Sequence, residues 1–93
     1  MRLTPNEQHV IKGIIEEIFG PARVILFGSR LDPNKKGRDI DLFVIPTNMD
    51  DLYRKKLRAS AKLEMLLYKP VDIVVHRDFD RAIEKEALRD VEL

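Results

Sequence analysis

Two apolar runs separated by a polar loop constrain this chain more than any other feature of its sequence. The run at residues 24–27 is continuously apolar and partly β-branched, which predicts a strand buried on both faces. Residues 39–45 instead alternate with a period of two, so Asp39 and Asp41 lie on one face of a second strand. Burying two neighbouring carboxylates is costly unless a cation lies between them. This pair of acids therefore either meets water at the end of the strand or holds a metal ion.

The remaining elements are predicted from capping residues and periodicity. Thr4, Pro5 and Glu7 supply the N-cap, the first position and the capping box of a first helix, which Gly20-Pro21 ends. The other predicted elements are a second helix over about residues 49–67 with Leu52, Ala59, Leu63 and Leu66 on its apolar side, a third strand over residues 71–75, and a last helix capped by Asp78 that includes Phe79, Ile83 and Ala87.

This order of elements predicts an α/β domain of the α+β type, with a small three-stranded sheet flanked by helices in the order α-β-β-α-β-α. The loop between the first two strands is too short for an ordinary helical crossover, so we expect a mixed sheet. With 93 residues, the chain is expected to form a single domain over residues 1–93. Its hydrophobic fraction of 44% is sufficient for a core, which argues against disorder.

Composition limits the partners and the compartment that we expect. The formal net charge is +1, which offers no general attraction to nucleic acid or to an anionic membrane. The chain contains no cysteine, which excludes disulfides and fits a reducing compartment. No apolar run approaches the length that spans a bilayer, and the N-terminus lacks the apolar core of a signal peptide. We therefore expect a cytoplasmic protein without direct membrane or nucleic-acid binding.

A third acid and a Gly-Ser pair complete a candidate phosphoryl-transfer site. Asp72 interrupts an otherwise apolar strand, and three carboxylates can meet at one end of the sheet if that strand pairs beside the second. Such oxygen ligands suit Mg²⁺. Gly28 and Ser29 offer backbone N–H groups and a hydroxyl to a phosphate. Arg30 and Arg38 can neutralise phosphate charge, although surface salt bridges are an equal alternative for both arginines.

Three short motifs carry a family resemblance: FGSR at residues 27–30, DIDL at residues 39–42 and VDIV at residues 71–74. Together they resemble the signature of the DNA polymerase β-type nucleotidyltransferase superfamily. The chain's size and its Gly-Ser-Arg segment resemble most the minimal nucleotidyltransferases (MNT) of that superfamily. Those proteins are typically encoded beside a helical HEPN-domain partner, often as the antitoxin of a toxin–antitoxin pair. The chain departs from the family's usual pattern at residues 31–33 and at Arg38.

The resemblance implies a polymerase β-like fold and a role for each motif residue. Asp39, Asp41 and Asp72 would bind two Mg²⁺ ions together with the nucleotide phosphates, and Asp72 would also help to activate an attacking hydroxyl. Gly28 and Ser29 would seat the triphosphate of ATP or another NTP. The implied reaction transfers NMP, with AMP from ATP the expected case, to a hydroxyl acceptor. The expected acceptor is a tyrosine of a HEPN toxin, which the modification would silence.

Two alternative functions are open at this point. The chain is either an active transferase or a non-catalytic antitoxin that binds a nucleotide and neutralises its partner by occlusion. A sugar transferase that uses Asp-x-Asp is disfavoured, because such enzymes generally need a much larger chain. Association of the chain with copies of itself is also open.

The second helix carries two features that the candidate site does not use. Its cations at positions 54, 55, 56, 58 and 62 are expected to form a solvated face, given the balanced net charge. Tyr53 and Tyr68 could accept a nucleotidyl group in a self-modification, but we expect ordinary amphipathic packing for both.

Overall fold

The computed structural model describes residues 3–27 and 39–93. Its elements, in chain order, are α1 (Pro5–Phe19), β1 (Ala22–Phe27), β2 (Ile40–Pro46), α2 (Leu52–Leu67), β3 (Val71–Val75), α3 (Ala82–Ala87) and β4 (Val91–Glu92). The predicted order of the first six elements is therefore confirmed. None of the helices in these two segments is long and apolar enough to cross a membrane.

The strands form one mixed sheet in the order β3-β2-β1-β4. β1 is antiparallel to both β2 and β4, whereas β2 and β3 run parallel. The predicted mixed sheet is thus confirmed, but it has four strands rather than three. β4 pairs its two residues with Ile25 and Leu26, and Glu92 forms a 2.7 Å ion pair with Arg23. A strand of two residues is too short to show the periodicity on which the prediction relied.

Helix α1 begins and ends as its capping residues predict. The Thr4 hydroxyl accepts a hydrogen bond from the Glu7 N–H at 3.1 Å, and the Glu7 carboxylate accepts one from the Thr4 N–H at 3.0 Å. Gly20 ends the helix with a φ of 78°, in the region that favours glycine. The apolar stripe buries Ile11, Ile15 and Phe19.

The sheet buries apolar side chains on both faces. Ile40, Leu42 and Val44 of β2 pack into the core that also contains buried residues of α1 and α2. Phe43, which points to the opposite face, packs into a second cluster with Ala87 of α3. The odd-numbered residues of β2 therefore lie on the face that α3 covers, and Asp41 is among them.

Helix α2 turns Ala59 and Leu63 into the core. Leu67, four residues after Leu63, packs against the same core, whereas Leu66 is 46% exposed. The prediction that Leu66 lies on the apolar side of the helix is therefore wrong. The helix also begins at Leu52, three residues later than predicted.

The outward side of α2 carries the two tyrosines. Tyr53 is 74% exposed and Tyr68 is 90% exposed. The expectation that both tyrosines pack in an amphipathic arrangement is therefore wrong. Among the cations of this helix, Lys62 forms a 3.0 Å ion pair with Glu17 of α1, which ties the two helices together at the surface.

A buried carboxylate organises the segment between β3 and α3. Glu84 of α3 is completely buried, and a 2.7 Å hydrogen bond joins its Oε1 to His76 Nδ1. Its Oε2 accepts hydrogen bonds from the N–H groups of Arg77 at 2.8 Å and Asp78 at 2.9 Å, and from Arg81 Nη1 at 3.1 Å. Burial alone would raise the pKa of Glu84, but these hydrogen bonds outweigh burial and hold the pKa below its ordinary value.

This network also explains why the last helix differs from its prediction. We expected Asp78 to cap a helix that includes Phe79, but α3 begins at Ala82 with Arg81 as its N-cap residue. The Asp78 carboxylate instead accepts a hydrogen bond from the Asp80 N–H at 2.9 Å. Because the backbone just after β3 is bound to the carboxylate of a later helical residue, it is held as a turn.

Candidate active site

The site begins with the pairing of two strand ends. In the parallel pair of β2 and β3, Asp41 and Asp72 are Cα partners on strands about 4.8 Å apart. Cα partners of adjacent parallel strands point to the same face, so both carboxylates lie on the face that α3 covers. Asp39 lies immediately before β2, two residues from Asp41. The condition under which the three carboxylates can meet, pairing of the third strand beside the second, is therefore fulfilled.

All three predicted acids line one cavity of about 350 Å³. They differ in burial: Asp41 is only 4% exposed, Asp39 is half-buried and Asp72 is exposed. The cavity is completed by Glu64, Pro70 and the first residues of the two strands. The structure therefore brings the acids together around a space that is deep at Asp41 and open at Asp72.

The predicted phosphate-binding residues stand next to this cavity in sequence. β1 ends at Phe27, whose Cα partner across the antiparallel pair is Asp41. Gly28, Ser29, Arg30 and Arg38 lie outside the residues that the structure describes. Their roles stay predictions.

Residues 9–93 match the family described as "Polymerase beta, Nucleotidyltransferase". The chain belongs to this family. The match covers the three aspartates, most of α1 and every element from β1 to β4, which confirms the superfamily that the motifs resemble. None of the curated proteins matches the chain in sequence.

Solved structures share the nucleotidyltransferase fold with this chain at low sequence identity. A crystal structure from Shewanella oneidensis superimposes with a TM-score of 0.74 at 16% identity, covering 98% of this chain and 71% of the other. The tri-AMPylated Shewanella oneidensis HEPN toxin in complex with MNT antitoxin gives a TM-score of 0.66 at 23% identity, covering 91% of this chain and 65% of the other. A toxin–antitoxin crystal structure with AMP-PNP gives 0.67 at 23% identity, covering 91% and 68%.

The donor atoms around the cavity of this nucleotidyltransferase fit a hard divalent cation. Within residues 3–27 and 39–93, no three acidic or histidine side chains are close enough together to form a ready-made metal site. One reason is the geometry of a strand: the Cα atoms of successive residues on one face are about 6.6 Å apart, because each residue rises about 3.3 Å. Mg²⁺ nevertheless suits such a set, since it usually takes one or two carboxylates and completes its shell with waters and substrate phosphates.

Glu64 is a lining residue that the sequence interpretation missed. Its carboxylate accepts a 2.9 Å hydrogen bond from the N–H of Val71, the residue before Asp72. The last turn of α2 is thereby joined to the first residue of β3, on the outer edge of the sheet. Helix α2 contains five cations and a single acid, Glu64. That contrast is the sequence signal that could have drawn attention to Glu64.

A second cavity, of about 450 Å³, lies at the opposite end of β3. It is lined by α2 residues and by Val75, His76 and the cations Lys56, Arg77 and Arg81. Cations and a histidine do not bind Mg²⁺ in the way that carboxylates do. The smaller cavity is therefore the candidate active site of this family member.

Proposed function

We propose that this chain is a Mg²⁺-dependent nucleotidyltransferase that transfers AMP from ATP to a hydroxyl group of a separate protein. The observation that carries the proposal is the pairing of Asp41 with Asp72 in the register of two parallel strands. Together with Asp39, these residues line one cavity at the starts of the strands. Membership of the nucleotidyltransferase family supports the same reaction class.

The reaction would form one bond and break one bond at the α-phosphorus. The acceptor oxygen attacks the α-phosphorus, the bond from that phosphorus to the oxygen bridging to the β-phosphate breaks, and pyrophosphate leaves with that oxygen. The hydroxyl proton passes to a carboxylate at the open side of the cavity, for which Asp72 is the exposed candidate, and then to water.

The three aspartates would hold Mg²⁺ through their carboxylate oxygens. When bound, the metal would neutralise phosphate charge and polarise the attacking oxygen. Asp41, buried at the inner wall, would hold its oxygen in a fixed position, because its strand is paired on both sides. Gly28, Ser29, Arg30 and Arg38 would bind the triphosphate.

We further propose that the acceptor is a tyrosine of a HEPN toxin and that the chain is the antitoxin of such a pair. Support comes from two structural neighbours, one an AMPylated HEPN toxin bound to an MNT antitoxin and the other a toxin–antitoxin structure with AMP-PNP. The competing function is an antitoxin that binds nucleotide without transferring it and blocks the toxin by occlusion.

The test is transfer of label from ATP labelled at the α-phosphate, with Mg²⁺, into proteins of a lysate of the native host. Asp41→Asn should abolish the labelled band, because it removes a ligand charge without changing side-chain size. Asp50→Asn is the matched control, since Asp50 is exposed and lies away from the cavity. Full labelling with Asp41→Asn would contradict the proposal.

The occlusion alternative is separated by a second experiment in cells that carry the toxin. The Asp39→Asn/Asp41→Asn double variant should fail to neutralise the toxin if transfer is the antitoxin mechanism. If the double variant still neutralises the toxin and still binds it, occlusion is the function.

A further inference from the structure

The outward face of α2 carries an apolar ridge that the domain does not cover. Its members follow one another at spacings of three or four residues, which places them on one side of the helix. We call this ridge the α2 outer stripe; it consists of Tyr53, Leu57, Ala61, Met65 and Tyr68. The stripe is well exposed: Leu57 is 50% and Met65 is 67% accessible, and both tyrosines are more exposed still.

Stability of the domain does not explain this ridge. The core-facing side of α2 is a separate set of residues, among which Ala59 and Leu63 are completely buried. Tyr68 also has a left-handed backbone with a φ of 56°, at a position after a helix where glycine or asparagine is favoured. An exposed aromatic side chain on a residue whose backbone is left-handed points to a role in contact with another molecule.

The charge around the stripe defines what can cover it. Arg54 and Arg58 lie along one border, one residue after Tyr53 and Leu57 respectively, and neither side chain forms a hydrogen bond or ion pair with the described part of the chain. Two other charges of the helix already have partners: Lys62 is paired with Glu17, and the Glu64 carboxylate accepts a hydrogen bond from the Val71 N–H. A second copy of α2 laid against this face would bring like charges together, whereas a helix with acidic flanks would complement it.

The stripe leads directly to the candidate active site. Met65 follows Glu64, which lines the acidic cavity, and Tyr68 lies two residues before Pro70, which lines it as well. From Tyr53 to Tyr68 the stripe is about 22 Å long, enough for three to four turns of a facing helix. A partner helix bound along it would therefore end beside the cavity.

We propose that the α2 outer stripe is the docking surface for an acidic amphipathic helix of another protein. We also expect this partner to carry the acceptor hydroxyl, and that part of the inference rests on the proposed function. Docking itself needs no catalysis, so the two can fail separately.

The direct test is fluorescence anisotropy with designed helical peptides of about 18 residues, one with an apolar stripe flanked by glutamates and one with lysines in their place. The acidic peptide should bind the wild-type protein and the basic peptide should not. Leu57→Ser/Met65→Ser should weaken binding about tenfold, because it removes central apolar contacts. Arg54→Glu/Arg58→Glu should reverse the preference between the two peptides.

Two matched controls keep the result specific to the stripe. Leu66→Ser changes an exposed leucine of the same helix off the stripe, and Lys85→Glu reverses an exposed charge on α3. Both should leave the peptide affinity within about twofold of wild type. Equal binding of the two peptides, or binding of neither, would overturn the proposal. So would a dimer in sedimentation velocity that Leu57→Ser/Met65→Ser dissociates, because a second copy would then cover the stripe.

The proposed function is tested independently in the same samples. Asp41→Asn should bind the acidic peptide as wild type does, although it has lost transfer. If Asp41→Asn stops labelling of the host protein while the stripe variants leave it intact, docking on α2 is wrong and the transferase assignment stands. If wild type transfers nothing yet peptide binding follows the stripe and its charge, the transferase assignment is wrong and the docking surface stands.

Discussion

The two ends of β3 place acidic side chains in opposite ways. At its start, Asp72 is exposed beside the buried Asp41, and both line a cavity. Beyond its end, the fully buried Glu84 accepts hydrogen bonds from two backbone N–H groups and an arginine and is joined to His76. Both carboxylate oxygens of Glu84 therefore have hydrogen-bond partners within the protein. The acids at the start of the strand border a space that a ligand can enter.

This difference separates an acid that builds the fold from acids suited to chemistry. Loss of a structural carboxylate leaves partly buried donors without an acceptor, so its effect falls on stability. Loss of a site carboxylate removes a buried or crowded charge, so its effect falls on function while stability is kept or gained.

Glu84→Ala should lower the free energy of unfolding by about 2–4 kcal/mol, because it removes a fully buried side chain and leaves the Arg81 guanidinium and two backbone N–H groups without their acceptor. Urea unfolding followed by circular dichroism measures the change. Glu86→Ala, on the same helix at a partly exposed position, should cost about 0.5 kcal/mol or less. Equal losses in the two variants would show that Glu84 is not a special anchor of the fold.

The pH dependence of stability should also show the contribution of Glu84, with a smaller change in the free energy of unfolding than Glu84→Ala produces. The folded-state pKa of Glu84 is held below its ordinary value of 4.5, so its contribution is fully present above that value and is lost as the pH falls through the folded pKa. Glu7, whose pKa is lowered chiefly by its hydrogen bond from Lys69, contributes in the same direction. Urea midpoints between neutral pH and acid should therefore fall less steeply for Glu84→Gln than for wild type. An unchanged slope would show that Glu84 is not a source of the acid sensitivity.

Asp41→Asn should change the free energy of unfolding by about 1 kcal/mol or less, because asparagine keeps the size of the side chain and one of its oxygen acceptors. The same urea measurement applies, next to Asp50→Asn. A loss as large as that of Glu84→Ala would make Asp41 a structural acid and erase the contrast between the two ends of β3.

Much of the fold could be predicted because its punctuation is local. The Thr4–Glu7 capping box, Gly20 and the break at Lys69-Pro70 each act within a few residues, so α1 and the start of β3 match their predictions. The three aspartates could be grouped because a period of two fixes their face once the strand pairing is known.

What could not be predicted depends on contacts between distant segments. β4 exists because it pairs with β1, from the other end of the chain. The start of α3 is set by Glu84 reaching back to the turn before it. Glu64 enters the site only because α2 returns to the start of β3. Helix α2 has two apolar faces, and periodicity alone does not show which of them is buried. The exposure of Tyr53 could therefore not be predicted.

The register of β2 determines both which side chains fill the core and which line the cavity. Alternate residues of this one strand supply Leu42 to the helices and Asp41 to the cavity. A shift by one residue would send Asp41 into the core and Leu42 out of it. An insertion or deletion of a single residue inside β2 therefore destroys fold and chemistry in the same event. Evolution can reshape this strand only by substitution, one face at a time.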